Sequence, residues 1–135
     1  MSNVLITGGS GLIGKSLSTL LLSKGYSVGF LTRSSTQSFD SIKRFIWDVE
    51  KGEIDEKAIL WADHLIHLAG ETVGQRWTKR KKQEILHSRV DSTLLLVEEL
   101  KKRKHKLESF ISGSAIGYYG DDTGDKLLIE NVPQK

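Results

Sequence analysis

Three glycines spaced three residues apart, Gly8, Gly11 and Gly14, lie near the start of this 135-residue chain. They follow the apolar run Val4–Ile6, which predicts a short buried strand, and a helical pattern starts near Leu12. A glycine-rich turn between a strand and a helix lets backbone approach a phosphate closely. The N-terminus of the helix adds free N–H groups and a partial positive charge. These residues therefore predict a phosphate-binding turn.

Two kinds of nucleotide site fit this turn. The spacing G-x-x-G-x-x-G is a variant of the Rossmann fingerprint, whose turn holds the pyrophosphate of a dinucleotide. The same stretch fits G-x-x-x-x-G-K-[ST], a triphosphate-binding P-loop in which Lys15 would reach the β- and γ-phosphates and Ser16 would hold Mg²⁺. A third interpretation is that the glycines only shape the turn. The motif by itself leaves these alternatives open.

Beyond the turn, apolar segments of strand length alternate with segments of helical periodicity. Strands are predicted at Asn3–Ile6, Tyr26–Leu31, Lys43–Trp47, His64–Leu68 and Glu108–Ser112. Helices are predicted from about Ile13 to a stop at Gly25, over Asp55–Trp61 and over Thr78–Arg103. This alternation predicts an α/β fold of the Rossmann type, in which a doubly wound parallel sheet of about five strands forms one domain, 1–135.

The two long helices each carry a stripe that we expect to pack on the sheet. In the first helix the stripe comprises Ile13, Leu17, Leu20, Leu21 and Lys24. In the long helix it comprises Leu86, Val90, Leu94, Val97 and Leu100.

Residues able to contact a ligand follow the predicted strands. Parallel sheets bind ligands beyond the carboxyl ends of their strands, at the point where the strand order switches. The first strand leads to the glycine turn, the second to Arg33, the fourth to Ala69-Gly70 and the fifth to the segment 112–120. This convergence favours a dinucleotide site over a P-loop. A P-loop would also need an aspartate at the end of a second strand, and neither Asp48 nor Asp63 is well placed for that role.

Composition narrows the function classes further. The hydrophobic fraction of 38%, the charged fraction of 27% and the net charge of +3 are ordinary, and give no argument for nucleic-acid binding. No apolar run approaches membrane-spanning length. The absence of cysteine excludes disulfides and thiolate metal sites and is compatible with a cytoplasmic location. His64 and His67 lie three apart on a strand, so they face opposite sides and predict no shared metal site.

Three motifs together resemble a known superfamily. They are Thr7-Gly8-x-x-Gly11-x-x-Gly14, His67-Leu68-Ala69-Gly70 and the segment 112–120, with Ser112, Ser114, Tyr118 and Tyr119. The chain resembles the extended short-chain dehydrogenases/reductases of the NAD-dependent epimerase/dehydratase type. Arg76-Trp77-Thr78 and Ser88-Arg89-Val90 resemble its atypical branch, often labelled epimerase-family or cell-division-inhibitor-like proteins. The resemblance implies that residues 1–135 are the N-terminal, NAD(P)-binding portion of a longer chain, with the C-terminal part of the fold missing.

The resemblance also implies the site residues. Those expected to contact the cofactor are Thr7, Gly8, Gly9, Ser10, Gly11, Leu12, Ile13, Gly14, Arg33, Leu68, Ala69, Gly70 and Arg89. The catalytic candidates are Ser114, in the serine position of the superfamily, and Tyr118; Arg89 takes the usual asparagine position. The Tyr-x-x-x-Lys pair of the superfamily is absent from this chain.

The choice of cofactor depends on the end of the second strand. Folds that prefer NAD place an acidic residue there to bind the ribose hydroxyls. This chain has Arg33, and the next acidic residue is Asp40. A guanidinium suits the 2′-phosphate of NADP, so NADP is predicted ahead of NAD.

Three functions fit these observations. The chain is the cofactor-binding part of an oxidoreductase or epimerase acting on an unknown small molecule, or a dinucleotide-binding or redox-sensing module without turnover. The less favoured function is that of a P-loop nucleotidase. The predicted partners are a nicotinamide dinucleotide, a small-molecule substrate and a second copy in a homodimer, with no nucleic acid, membrane or metal.

Overall fold

A computed structural model of the protein describes residues 2–34, 40–70, 76–114, 124–125, 127, 129–131 and 133. Its strands are β1 (Asn3–Thr7), β2 (Ser27–Thr32), β3 (Lys43–Asp48), β4 (Glu53–Ile54), β5 (His64–His67) and β6 (Ser109–Ser112). Its helices are α1 (Leu12–Ser23), α2 (Glu56–Trp61) and α3 (Lys79–Lys102).

The strands form one sheet in the order β4-β3-β2-β1-β5-β6. All neighbours run parallel except β3 and β4, which are antiparallel. The chain moves outward from β1 to β3 in one direction and then returns to β5 and β6 on the other side of β1. The switch in strand order therefore falls between β1 and β5, where a doubly wound sheet has its ligand crevice.

Two apolar clusters cover the two faces of the sheet. On one face, Leu5 and Leu65 pack with Leu95 and Leu96 of α3. On the other face, Val4, Ile6, Val28 and Phe30 pack with leucines of α1. Alternate residues of β1 thus enter opposite clusters, as the two-residue period of a strand requires. His67 follows Leu65 by two residues and lies on the α3 face, whereas His64 lies on the opposite face, as predicted.

The predicted α/β class, parallel sheet and helix ends are confirmed. Gly25, with φ +86°, ends α1. Asp55 and Thr78 cap α2 and α3 by accepting hydrogen bonds from Lys57 N–H and Lys81 N–H. The strand count was too low, because β4 has two residues and offers no alternating pattern to recognise.

The predicted buried stripe of α3 was wrong for its first three members, whereas Val97 and Leu100 are half-buried. Leu86, Val90 and Leu94 are exposed, and the fully buried side is formed by Ser92, Leu95, Leu96 and Glu99. Two polar residues on the buried face obscured the periodicity: the Ser92 hydroxyl reaches His67, and the Glu99 carboxylate is paired with Arg103.

The stripe of α1 was only partly correct. Leu17 and Leu21 pack on the sheet as predicted, together with Leu22. Ile13 and Leu20 are exposed, and the buried positions of the helix are Gly14 and Ser18. These two small residues let the helix pack close to the turn. Because neither is strongly hydrophobic, the apolar pattern of the sequence does not show that they are buried. None of the helices in the described ranges has the length and apolar character needed to cross a membrane.

Candidate functional site

The turn after β1 is held against the end of β5 by Gly8. This residue has φ +70°, a region that side-chain-bearing residues rarely adopt. A Cβ added to Gly8 would lie 2.9 Å from the backbone N of Ala69. Both the turn and the close approach of the two strand ends therefore require glycine at this position.

Gly14 and Gly11 meet different demands. A Cβ on Gly14 would lie 2.5 Å from the carbonyl oxygen of Gly8, so glycine lets α1 pack directly on the turn. Gly11 is exposed, has φ −74°, and among the described residues a Cβ there would meet only the Gly8 carbonyl oxygen, in a tight contact at 3.3 Å. The backbone conformation at position 11 does not require glycine, and the position faces solvent at the start of α1.

The N-terminus of α1 opens at this turn. The helix begins at Leu12 with Gly11 as its N-cap, and no side chain caps it. Its first N–H groups have no acceptor within the helix, and no acidic residue lies in its first turn. Ser10, Gly11, Leu12 and Ile13 are all exposed there. The arrangement offers donors and a positive partial charge to an anion.

This geometry does not suit a P-loop. In that motif the residues between the two outer glycines form a loop that wraps the phosphates. Here the helix has already begun at Leu12, and Lys15 and Ser16 lie within it. The stretch Gly9–Gly14 is therefore half turn and half helix.

Thr7 joins the glycine turn to the end of β5. Its hydroxyl oxygen accepts hydrogen bonds from the backbone N–H groups of Leu68 and Ala69, both at 3.0 Å. The Leu68 N–H is shared with the carbonyl oxygen of Thr7 at 3.2 Å. Three predicted cofactor residues are thereby fixed relative to one another.

The same hydroxyl contacts a buried histidine. The Thr7 oxygen lies 2.6 Å from Nδ1 of His67, whose Nε2 lies 3.1 Å from the Thr93 hydroxyl and 3.2 Å from the Ser92 hydroxyl. Burial lowers the pKa of His67 below its usual range, which favours the neutral ring. A line of polar contacts thus runs from the turn through His67 to α3.

Arg89 of α3 lies at the far end of these polar contacts, where its carbonyl oxygen accepts from the Thr93 hydroxyl. A Cβ on Gly70 would lie 2.9 Å from the guanidinium carbon of Arg89, so glycine makes room for that group beside the end of β5. The guanidinium donates to the carbonyl oxygen of Ile85 at 3.2 Å. The predicted residues Ala69, Gly70 and Arg89 therefore lie together.

The end of β2 forms another part of the same edge. Arg33 follows β2 directly and is exposed. The nearby acidic residue, Asp40, is held by Arg44 in a two-pronged ion pair, with distances of 2.8 and 2.9 Å. The hydrogen bond and charge of Asp40 raise the pKa of Arg44. The guanidinium of Arg44 also lies over the Phe30 ring, and a Cβ on Gly9 would clash with that ring.

The catalytic candidates lie after β6. The Gly113 N–H donates to the carbonyl oxygen of His67 at 3.0 Å, which continues the β5–β6 pairing to the edge of the site. Ser114 follows and is exposed. Tyr118 lies outside the described residues.

Sequence reasoning missed the roles of His67, Ser92 and Thr93. His67 was considered as part of a motif and, with His64, as a metal ligand, but not as a hydrogen-bonding group. The strand pattern did contain a signal for this role. His67 lies two residues after the buried Leu65, on the same face of the strand, so it had to be a buried polar residue that needs hydrogen-bond partners. The partners on α3 could not be found, because the helix face was assigned wrongly.

Comparison with known proteins identifies the family. Residues 4–134 match the NAD dependent epimerase/dehydratase family. The chain belongs to this family. Among curated members, an epimerase family protein of Staphylococcus saprophyticus is 38% identical over 123 residues, which are 90% of this chain and 40% of that protein. The epimerase family protein YfhF of Bacillus subtilis is 32% identical over 118 residues, 87% of this chain and 39% of that protein. The chain thus spans about 40% of the length of these relatives.

Solved structures of the family share the fold. A human epimerase family protein crystallised with NADPH has a TM-score of 0.75 and 26% identity, covering 98% of this chain and 42% of that one. A nucleoside-diphosphate sugar epimerase of Corynebacterium glutamicum has a TM-score of 0.76 and 34% identity, covering 98% and 26%. UDP-glucose 4-epimerase of Bifidobacterium longum, with NAD⁺ and UDP, has a TM-score of 0.72 and 29% identity, covering 99% and 43%.

Proposed function

We propose that residues 1–135 are the NAD(P)-binding portion of an epimerase-type oxidoreductase, with the dinucleotide on the turn between β1 and α1. The observation that carries the proposal is the contrast among the glycines: a Cβ would overlap backbone atoms at Gly8 and Gly14, whereas at the exposed Gly11 it would make one tight contact, at 3.3 Å, with a described residue. A pyrophosphate at the start of α1 would require glycine at position 11, because a side chain there would occupy its place. Relatives of the same fold were crystallised with NADPH or NAD⁺.

We infer NADP as the preferred cofactor and NAD as the alternative. Arg33 at the end of β2 supplies a guanidinium for the 2′-phosphate. Asp40, which could instead bind the ribose hydroxyls, forms an ion pair with Arg44. The human relative crystallised with NADPH supports this preference.

In the proposed enzyme the bound nicotinamide supplies or accepts a hydride, and the protein orients the small-molecule substrate beside it. Ser114 lies beyond β6, on the edge that carries the turn, where its hydroxyl could hold a substrate oxygen. Tyr118 is the proposed proton donor. The substrate is a small molecule whose identity these residues do not specify.

A second candidate is a dinucleotide-binding module without turnover. Its support is that no tyrosine of this chain is followed four residues later by lysine: the residues found there are Phe30, Asp122 and Thr123. In the superfamily pair the lysine charge stabilises the tyrosinate and so assists proton transfer. The cytoplasmic location and the homodimer stay predictions.

Titration of the protein with NADPH, NADH and Mg²⁺–ATP, followed by intrinsic tryptophan fluorescence, tests the binding proposal. We expect saturable binding of NADPH, weaker binding of NADH and none of Mg²⁺–ATP. Binding of ATP alone would overturn the proposal in favour of a nucleotidase. Hydride exchange between labelled NADPH and candidate substrates, measured on the full-length protein, then separates an enzyme from a binding module.

A further inference from the structure

His67 is a polar group in the middle of a core. Its side chain lies on the α3 face of the sheet, and the residue is 5% exposed. The rings of Trp47 and Phe110 flank it, with centroids 6.5 and 6.3 Å away. A buried imidazole of this kind needs a partner for each ring nitrogen, and the identity of those partners fixes where its proton lies.

Thr7 fixes the Nδ1 side. A hydroxyl has two acceptor positions and one hydrogen to donate. Both acceptor positions of the Thr7 oxygen are taken by the N–H groups of Leu68 and Ala69. The hydroxyl hydrogen must therefore point along the 2.6 Å contact to Nδ1 of His67, so Nδ1 is an acceptor and carries no proton.

The α3 side agrees with this assignment. The Ser92 hydroxyl donates to the carbonyl oxygen of Ser88, and the Thr93 hydroxyl donates to that of Arg89. Because each hydroxyl donates its single hydrogen to a carbonyl oxygen of its own helix, it can only accept a hydrogen bond from His67. Nε2 must therefore be the protonated nitrogen, shared between these two acceptors at 3.2 and 3.1 Å.

We propose that His67 is a positioning residue of the cofactor site, held as the neutral Nε2–H tautomer to orient the Thr7 hydroxyl. In this state Thr7 can accept from Leu68 and Ala69 and so hold the end of β5 against Gly8. The inference rests on the proposed function, because the positioned atoms are those assigned to the dinucleotide. His67 does not touch the cofactor; it acts through Thr7.

Protonation of His67 would disrupt this arrangement of hydrogen bonds around Thr7. A second ring proton at Nδ1 would face the hydrogen of the Thr7 hydroxyl, and the hydroxyl could turn to accept it only by giving up one of the two N–H groups. None of the ion pairs joining described residues includes His67, so its low pKa comes from burial. Among the charged residues on the elements around the ring, Asp48 follows Trp47, Arg89 and Glu99 lie on α3, and Glu108 precedes β6. We therefore expect affinity for NADPH to fall once the pH is low enough to protonate His67, which its lowered pKa places below the usual histidine range.

The first test reads the tautomer directly in the wild-type protein without cofactor. Long-range ¹H–¹⁵N correlation spectra of the histidine rings distinguish a protonated Nε2 from a protonated Nδ1. We expect His67 to be neutral and protonated at Nε2 at pH 7. A proton on Nδ1, or a doubly protonated ring at that pH, would overturn the proposal. This result does not depend on whether NADPH binds.

The second test measures NADPH affinity in variants. Thr7→Val keeps the shape of the side chain and removes the hydroxyl; we expect it to weaken binding about tenfold or more, the size of one lost buried hydrogen-bond group. Thr19→Val, which removes an exposed hydroxyl from α1, is the matched control and should bind as wild type. Wild-type affinity in Thr7→Val would refute the role of the hydroxyl.

The third test uses the pH profile, which a purely structural role of His67 would not move. As the pH is lowered from 7 through the range in which the ring spectra show His67 taking up a proton, the wild type and His87→Gln, a control at an exposed histidine of α3, should lose affinity in parallel. His67→Asn, which keeps an acceptor oxygen for Thr7 but cannot take up a proton, should show a shallower pH dependence than either, because only the titration of the 2′-phosphate remains. A slope unchanged in His67→Asn would refute the proposal. If the wild type did not bind NADPH, the proposed function would be refuted. The ring spectra recorded without cofactor would still test whether His67 accepts a hydrogen bond from Thr7.

Discussion

At the scale of single residues, the glycine turn contains two glycines that the fold requires, Gly8 and Gly14, and one that is exposed, Gly11. Their spacing predicted a phosphate-binding turn, and the contacts that give Gly8 and Gly14 separate structural roles came from the structure. The spacing could not separate the dinucleotide site from the P-loop. That distinction needed the start of α1 at Leu12, which fixes whether the following residues form a loop or a helix.

Gly11→Val and Gly14→Val should therefore differ in kind. We expect Gly11→Val to fold with a thermal midpoint close to wild type and to lose NADPH binding, because its side chain would lie in the place of the pyrophosphate. Gly14→Val should be strongly destabilised, since its Cβ would overlap the backbone of Gly8 and Gly9. Thermal unfolding followed by circular dichroism, together with NADPH titration, compares the two. Wild-type affinity in Gly11→Val would show that the site assignment is wrong.

Arg33 should set the preference between cofactors. Only NADP carries the 2′-phosphate, so Arg33→Ala should weaken NADP binding by about 1.5–3 kcal/mol, the value of one charge-assisted contact, and leave NAD binding unchanged. Arg80→Ala, which removes an exposed guanidinium of α3, is the control and should alter neither affinity. Dissociation constants for both cofactors measured by calorimetry test this. Equal weakening of both would reject the role.

At the scale of elements, the sequence was sufficient for the order of the helices and of every strand except β4, but not for the orientation of α3. The strands are short apolar runs bounded by polar residues, and their type follows from length and position. The helix has leucine or valine on more than one side, so periodicity allows two buried faces. The choice between them is made by Ser92, which reaches His67, and by Glu99, whose pKa is lowered by its hydrogen bond to Arg103. The Ser92–His67 contact joins residues 25 apart and cannot be read from local sequence, and the four-residue spacing of Glu99 and Arg103 does not show that Glu99 is buried.

Two leucines of α3 test the orientation. Leu96 is fully buried in the cluster under the sheet, whereas Leu94 is 52% exposed. Leu96→Ala should lower the free energy of unfolding by about 2–5 kcal/mol, as cavity formation in a core does. Leu94→Ala should change it by less than about 0.5 kcal/mol. Urea unfolding of both variants measures the difference, and the reverse ranking would restore the stripe predicted from the sequence.

At the scale of the whole molecule, α3 exposes a row of apolar side chains to solvent. Leu86, Val90 and Leu94 are spaced four residues apart on α3 and so share one face of the helix, and each is at least 46% exposed. The edge strand β6 carries another exposed apolar residue, Ile111. Exposed apolar surface of this kind favours association, because monomeric proteins rarely leave large apolar patches uncovered.

We therefore expect the 135-residue chain to self-associate. Sedimentation velocity should show species larger than a monomer, and the double variant Val90→Glu/Leu94→Glu should shift the distribution toward the monomer by placing charge on that face. Leu60→Glu, at an exposed position of α2, is the control and should leave the distribution unchanged. A monodisperse wild-type monomer would show that the face does not drive association.

The central claim, that the turn between β1 and α1 binds a nicotinamide dinucleotide, is tested most directly by amide chemical shifts. Two-dimensional ¹H–¹⁵N spectra recorded during titration with NADPH report each backbone N–H separately. The largest changes should fall on residues 8–14, with smaller changes at Arg33 and at Ala69-Gly70. Saturating NADPH that leaves the amides of residues 8–14 unmoved would contradict the account.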